Sequence, residues 1–289
     1  MSAPAPPLVL VDGRRVAAGR ARVSAFDRGF QYGDALLETL RVDRGRVVAL
    51  ERHLQRLSAS AATLGMALPE RAAAQWEHDL TDLVRRNGLD DGEAWVRITL
   101  TRGAAARGLL PPAGCRPTVI VAAGGLDPAV LRLRRRGATA ITLGFGRGAA
   151  LAAHKHAFYL PAIEGRRQAA AAGADDGLFT GAHGGVECAT SANVFAVLDE
   201  VLVTPRGGGV LPGVTRARAL ALARQWGWRA AERRLRRGEL AAATEVLLTN
   251  ALFEAVPVVR LDGRPVGDGR PGPRTRALQR ALLDAAAGR

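Results

Sequence analysis

The sequence predicts an α+β protein of two domains, and three observations carry that reading. Strand-like and helical stretches mix along the chain without the regular strand–helix alternation of a doubly wound sheet. Asp-Gly and Arg-Gly turn signals punctuate the strands. At 289 residues the chain has the length of two ordinary domains, and a Gly-rich, then Arg-rich texture around Gly124–Gly148 separates its halves. The domains are expected at 1–123 and 137–289, with 124–136 as an interdomain linker.

In the first half, PLVLVDG and RVAAGRARVSAFD read as strands. LLETLRVDRGRVVALERHL then reads as a strand, a turn at Arg44-Gly45, and a short strand running into a helix. From Glu51 to Leu64 the apolar residues Leu54, Leu57, Ala61 and Leu64 recur at helical spacing, and Gly65 ends the run. A second helix is predicted over Glu70–Asn87, closed by Gly88. EAWVRITLTRG alternates as a half-buried strand does, and TVIVAAG reads as a short buried one. In the second half LPAIEGRRQAAAAG reads as a helix, and DGLF, GVECAT and NVFAVLDEVLVTP as short strands. GVTRARALALARQWG is an amphipathic helix, EVLLTNALFEAVPVVRLDG a strand, and the chain ends in a helix.

Composition excludes several classes. Hydrophobic residues make up 48% and charged residues 24%, an ordinary globular balance. No apolar run approaches the roughly 20 residues of a membrane span. The start, MSAPAPPLVLVDG, lacks the basic and apolar parts of a secretory signal. Cys115 and Cys188 form neither a disulfide framework nor a zinc pattern, so a reduced, cytoplasmic protein is expected. The formal charge of +14 raises nucleic-acid binding as an alternative. Against it, the arginines are scattered apart from RLRRR and RRLRR, and aromatics are only 4%. No helix-turn-helix, zinc-finger or RNP pattern accompanies them. An anionic small molecule suits the charge better.

Lysine and arginine number 41, yet Lys155, in LAAHKHAFYL, is the single lysine. A composition rich in Ala, Gly and Arg replaces lysine wherever the two cations are interchangeable. They are not interchangeable where a neutral amine must attack a carbonyl, because guanidinium stays charged. Lys155 is therefore a candidate Schiff-base residue, with a surface lysine as the alternative. Three other stretches bear on it. VLPGVTR, ahead of a helix, offers backbone N–H groups and the Thr215 hydroxyl to an anion, or simply caps the helix. Glu187, in the small and apolar GVECATSANVF, wants a cationic or N–H partner: a protonated ring nitrogen or an arginine. Arg56, in HLQRL, lies on a helix and is either a phosphate ligand or a surface residue.

A lysine for an aldehyde, a helix-start loop with an arginine for a phosphate, and a carboxylate for a pyridinium are what pyridoxal phosphate requires. The order of these stretches resembles the class IV (fold-type IV) pyridoxal-phosphate enzymes, which include branched-chain and D-amino-acid aminotransferases and 4-amino-4-deoxychorismate lyase. The resemblance runs from about Val23 to Pro257 through DRGFQYGDALLETLRV, ERHLQRL, TRGAAARG, HKHAFYLPAI, GVECATSANVF, VTP, LPGVTR and EVLLTNALFEAVPV. It implies a homodimer of the D-amino-acid aminotransferase-like fold, with the cofactor at the domain interface and an amine or amino acid as substrate. Lys155 resembles the Schiff-base lysine, and Glu187 the partner of the pyridine nitrogen. Arg56, Val214 and Thr215 resemble the phosphate cup, completed by Asn250 and Ala251. Tyr159 is placed to reach the ring hydroxyl. Tyr32, Leu37, Thr39, Trp95 and Arg97 fall where relatives line the substrate pocket, and Arg107 matches a carboxylate-binding arginine that commonly serves the neighbouring subunit.

Departures from the family pattern guide the reaction. The usual YGDG is YGDA here, Leu37 replaces a bulky aromatic, and Leu109 stands where D-amino-acid aminotransferases carry histidine. TNAL resembles the lyase, and TRGAAARG leans towards the lyase or the D-amino-acid branch. The sequence reading therefore places 4-amino-4-deoxychorismate lyase first, releasing pyruvate to give 4-aminobenzoate for folate biosynthesis. An aminotransferase of D-amino-acid or branched-chain type is its alternative.

Overall fold

In the computed structural model, residues 7–148, 151–181, 184–207 and 209–288 are described. The chain divides into two units. The first comprises residues up to Leu126 together with Lys155–Phe158, and the second Asp127–His154 with the chain from Tyr159 onwards.

The first unit contains β1 (Leu8–Val11), β2 (Arg14–Ala17), α1 (Arg28–Tyr32), β3 (Ala35–Asp43), β4 (Arg46–Val47), α2 (Leu50–Thr63), α3 (Ala73–Arg86), β5 (Glu93–Thr101) and β6 (Thr118–Gly125). Among the described residues its strands form one six-stranded sheet, ordered β2-β1-β6-β5-β3-β4. The hairpin turns follow the expected signals: Asp12-Gly13 and Arg44-Gly45 take positive φ at both positions, the twist that tight hairpins need. Residues 21–26, expected to continue the second strand, lie outside any strand. Along β3 the side chains alternate, so Leu36, Leu40 and Val42 enter one core with Val96, Ile98 and Leu100 of β5. Helices α2 and α3 close this face through Leu57, Ala61, Leu80 and Leu83, each leucine worth about 1.5–3 kcal/mol on burial.

A long loop joins β5 to β6, and its ends are fastened. Fully buried Asp27 accepts hydrogen bonds from Thr101 Oγ1 (2.8 Å) and Thr118 Oγ1 (3.0 Å) while capping α1 through Gly29 N (2.7 Å). Gly103, at φ +94°, lies so close to the Arg116 carbonyl that no Cβ would fit. Buried Arg28 then holds the loop itself, donating to the carbonyls of Gly108 (2.6 Å) and Leu109 (2.9 Å).

The second unit follows the order α4 (Pro128–Arg136), β7 (Ala138–Leu143), α5 (Leu160–Ala171), β8 (Asp176–Thr180), β9 (Gly185–Ala189), β10 (Asn193–Leu198), β11 (Val201–Thr204), α6 (Val214–Gln225), β12 (Ala230–Glu232), β13 (Leu235–Arg236), α7 (Arg237–Ala242), β14 (Glu245–Asn250), β15 (Glu254–Leu261), β16 (Arg264–Pro265) and α8 (Pro273–Ala287). Its described strands make one ten-stranded mixed sheet, with β15 between β14 and β7. Phe195 and Val197 of β10 pack towards α6 and α8, while Val194 and Ala196 face a second core, so this strand reads as a continuous apolar run.

Two expectations change here. Most of 124–136 is not a linker: Asp127 caps α4 by accepting from Ala129 N (2.7 Å), Pro128 occupies its first turn, and Arg134 donates to the Leu252 carbonyl (2.5 Å). EVLLTNALFEAVPVVRLDG is a hairpin rather than one strand, because a turn at 251–253 separates β14 from β15. Among the described residues no helix is long and apolar enough to cross a membrane.

Candidate active site

Glu38 falls in the core phase of β3, between Leu36 and Leu40, and is 1% exposed. A buried carboxylate must be paired. Arg56 of α2 supplies a two-pronged partner, Nε to Oε1 at 2.8 Å and Nη2 to Oε2 at 2.6 Å. His53, one helical turn earlier on the same face, places Nδ1 2.7 Å from Oε2. An ionised carboxylate only accepts, so Nδ1 carries the hydrogen. Burial by itself would raise the Glu38 carboxyl, but the bonds from Arg56 and His53 prevail and hold it below the usual range. Burial lowers the His53 imidazole below its ordinary 6.5; the Arg56 and Lys155 charges act the same way, against Glu38.

Lys155 joins this cluster through the backbone of β3. Its carbonyl accepts from Leu37 N (2.7 Å), Ala157 N donates to the Ala35 carbonyl (2.9 Å), and His156 pairs with Leu36 as an isolated antiparallel bridge. The segment can dock there because β4 pairs only with the far end of β3, at Val42 and Asp43. Lys155 is half-buried.

The sheet face opposite the core carries the residues expected to line a substrate pocket. Leu37 pairs with Thr99 and Thr39 with Arg97, while Trp95 stands opposite Arg41. Directly paired residues share a face. Gly124, opposite Trp95, leaves the space that the indole occupies. Arg97 is exposed and has no ion-pair partner among the described residues. Arg107 is exposed on the β5–β6 loop, whose Gly108 N donates to the Tyr32 hydroxyl at 3.3 Å. Tyr32 in turn lies under the Arg28 guanidinium, 4.9 Å from its ring centre.

The remaining expected residues belong to the second unit. Glu187, on β9, rests in a slot of glycines: a Cβ at Gly146, Gly181 or Gly209 would collide with or crowd its carboxylate, and Arg147 N donates to Oε2 at 3.0 Å. Val214 and Thr215 open α6 and are buried. The loop before them is shaped by Asn193, whose Nδ2 donates to the Leu211 carbonyl (2.9 Å) and whose Oδ1 occupies the space a Cβ at Gly213 would need. Asn193 is also the cross-strand partner of Thr249, which brings the loop beside the Asn250–Ala251 turn. Asn250 builds that turn: Oδ1 accepts from Leu252 N (3.0 Å) and Phe253 N (2.9 Å). Tyr159 is half-buried immediately before α5.

Sequence reasoning missed Glu38, His53, Arg28 and Asn193. The first two had a signal: a carboxylate at a core phase of a strand, and a histidine three residues before Arg56.

The class IV aminotransferase family model matches residues 35–261. D-alanine aminotransferase of Bacillus licheniformis is 31% identical over 95% of each chain. Branched-chain-amino-acid aminotransferase-like protein 2 of Arabidopsis thaliana is 32% identical over 90% of this chain, which spans about half (47%) of that protein. Among solved structures, the Escherichia coli branched-chain amino acid aminotransferase superposes with a TM-score of 0.91 at 27% identity, over 98% of this chain and 95% of its own. The T.th. branched-chain amino acid aminotransferase, solved with pyridoxamine 5'-phosphate, gives 0.88 at 30% identity over 98% and 95%. A Legionella pneumophila protein for which 4-amino-4-deoxychorismate lyase activity is proposed gives 0.84 at 29% over 93% and 97%. The chain belongs to the class IV aminotransferases, a pyridoxal-phosphate-dependent enzyme family.

The His53 environment predicts a pH effect. With its folded pKa depressed, the unfolded chain binds the proton first, so the stability of neutral His53 is present above about pH 6.5 and lost as pH falls. Urea midpoints between about pH 7 and 5 should therefore fall more steeply for the wild type than for His53→Gln, which keeps a donor but does not titrate. Equal slopes would contradict the assignment.

Proposed function

We propose that the chain is an amino-acid aminotransferase that moves the amino group of an amino acid to a 2-oxo acid. The observation that carries this reading is the grouping, in one unit, of the chain's only lysine with the buried Glu38–Arg56–His53 cluster, on the sheet that also bears Arg97, without an ion-pair partner among the described residues. Similarity to aminotransferases over nearly the whole chain supports it.

The residues present fit pyridoxal phosphate in their chemistry: one amine at Lys155, a carboxylate at Glu187 against which bare glycine backbone packs, and a guanidinium at Arg56 with the helix start at Val214 and Thr215. The bound group supplies an aldehyde for an amine and a ring that withdraws electrons from a substrate carbon. Lys155 would hold the group through Nζ and, when displaced by the substrate amine, move a proton to and from the substrate α-carbon. Arg56, oriented by Glu38, would pair with the phosphate, together with Thr215, the N–H groups at the start of α6 and Ala251. Asn250 contributes by fixing the turn that presents Ala251. Glu187 would keep the ring nitrogen protonated, and Tyr159 would bind the ring hydroxyl. Tyr32, Thr39 and Arg97 would bound the substrate site, with Arg107 taking a substrate carboxylate.

A second reading, 4-amino-4-deoxychorismate lyase, is favoured by the TNAL turn and the RGAAARG loop, and by the Legionella structure. The two separate on one assay. The protein, supplied with pyridoxal phosphate, should convert 2-oxoglutarate or pyruvate into the amino acid with a branched-chain or D-amino donor. Formation of 4-aminobenzoate and pyruvate from aminodeoxychorismate, without amino transfer, would replace the first reading by the second. For whichever substrate is accepted, Arg107→Ala should lower kcat/KM by about 2–3 kcal/mol, the scale of a lost charge-assisted fork, with cofactor content unchanged. Wild-type kinetics would remove Arg107 from the site.

The proposal includes a cytoplasmic homodimer. Phe26, Phe30, Leu109 and Leu110 are 67–88% exposed, and Phe26 lies where the α1 approach pairs with the Arg107 loop, Ala105 N donating to its carbonyl (3.2 Å). A second copy would cover such side chains. Sedimentation should give the mass of two chains, and Leu109→Asp/Leu110→Asp the mass of one; a monomeric wild type would exclude the dimer.

A further inference from the structure

The first unit holds a half-open cavity of about 1360 Å³, which neither Lys155, Arg56 nor Glu38 lines. Its walls are the β1–β2 hairpin, the approach to α3 and the return of the β5–β6 loop, with exposed Pro69 and Pro112 contributing apolar surface and Trp76 and Val119 buried behind it. Four guanidinium groups line it, those of Arg14, Arg22, Arg71 and Arg116, against one carboxylate, Asp12. That carboxylate is engaged with Val119 N at 2.7 Å. Arg71 stacks 4.8 Å over the Trp76 ring and is paired with Asp79. The other three have no carboxylate partner among the described residues: Arg14 and Arg116 are exposed, and Arg22 donates only to backbone carbonyls.

Elsewhere in this unit, arginines that reach inwards are matched. Arg28 and Arg102 share Asp34, Arg41 has Asp43 and Glu93, and Arg56 has Glu38. A half-open cavity edged by unmatched guanidinium groups and some apolar surface has the makings of a site for a negatively charged, partly apolar molecule. Its position has a consequence. Arg116 is backed by Gly103, which admits no Cβ, so an anion seated on Arg116 bears on both ends of the loop carrying Arg107.

We propose that this cavity binds an organic anion, a phosphate or carboxylate carried on an apolar ring, and that its occupation restrains the β5–β6 loop. Phenyl phosphate is the probe, with inorganic phosphate and phenol as its two halves, titrated calorimetrically into the protein loaded with pyridoxal phosphate and freed of excess cofactor by gel filtration. Phenyl phosphate should bind at least about tenfold more tightly than either half, and about tenfold more weakly to Arg14→Ser/Arg116→Ser, whose thermal midpoint should match the wild type. It should also slow tryptic cleavage after Arg107. Binding equal in the double variant, or a half that binds as tightly as the whole, would overturn the site. Unaltered cleavage at Arg107 would overturn the restraint.

Discussion

A carboxylate buried in the apolar phase of a strand is the constraint around which the first unit is arranged. Glu38 cannot enter that core unpaired, and removing one partner of a buried pair costs about 3–5 kcal/mol. The requirement registers α2 on β3, because only one helix face presents both His53 and Arg56 to the same two oxygens. It also selects a geometry in which the arginine is held by its fork and cannot swing away. Lys155, attached to the neighbouring backbone at Leu37, acts on the same cluster, its charge lowering the His53 imidazole together with that of Arg56.

The second unit reaches its arrangement by the opposite means. Where the first uses charge pairing, the second uses missing side chains: the glycines around Glu187 and Gly213 against Asn193 make spaces only a bare backbone allows. Under the proposed function, the Glu187 carboxylate, which accepts from Arg147 N, and the helix start at Val214 and Thr215 would serve a ligand that carries both a cation and an anion. Pyridoxal phosphate, with its pyridinium and phosphate, is such a ligand, and the family to which the chain belongs depends on it.

Much of this was legible in the sequence. The alternation of β3 and β5, the helical periods of α2 and α3, and the solitary lysine in an arginine-rich chain each follow from one-dimensional pattern. What was not legible depends on pairing across the chain. Nothing local says that Lys155–Phe158 hydrogen-bonds to the edge of β3, some 120 residues earlier. Residues 124–136 looked like a linker because Gly and Arg dominate them, whereas an Asp cap followed by proline starts a helix there. The Asn250 turn was hidden in a run of strand formers, since its signal is one side chain accepting two backbone bonds. The lean towards a lyase rests on a few loop letters and on the Legionella structure, while most of the whole-chain similarity reported above is shared with aminotransferases.

The central claim is that Lys155 carries the cofactor. The purified protein, incubated with pyridoxal phosphate and reduced with borohydride, should lose its visible absorption and carry one phosphopyridoxyl group, found by peptide mass on Lys155. Lys155→Ala and Lys155→Arg should acquire neither the absorption nor the label, since guanidinium cannot condense with an aldehyde. A label located elsewhere, or full turnover by either variant, would contradict the account.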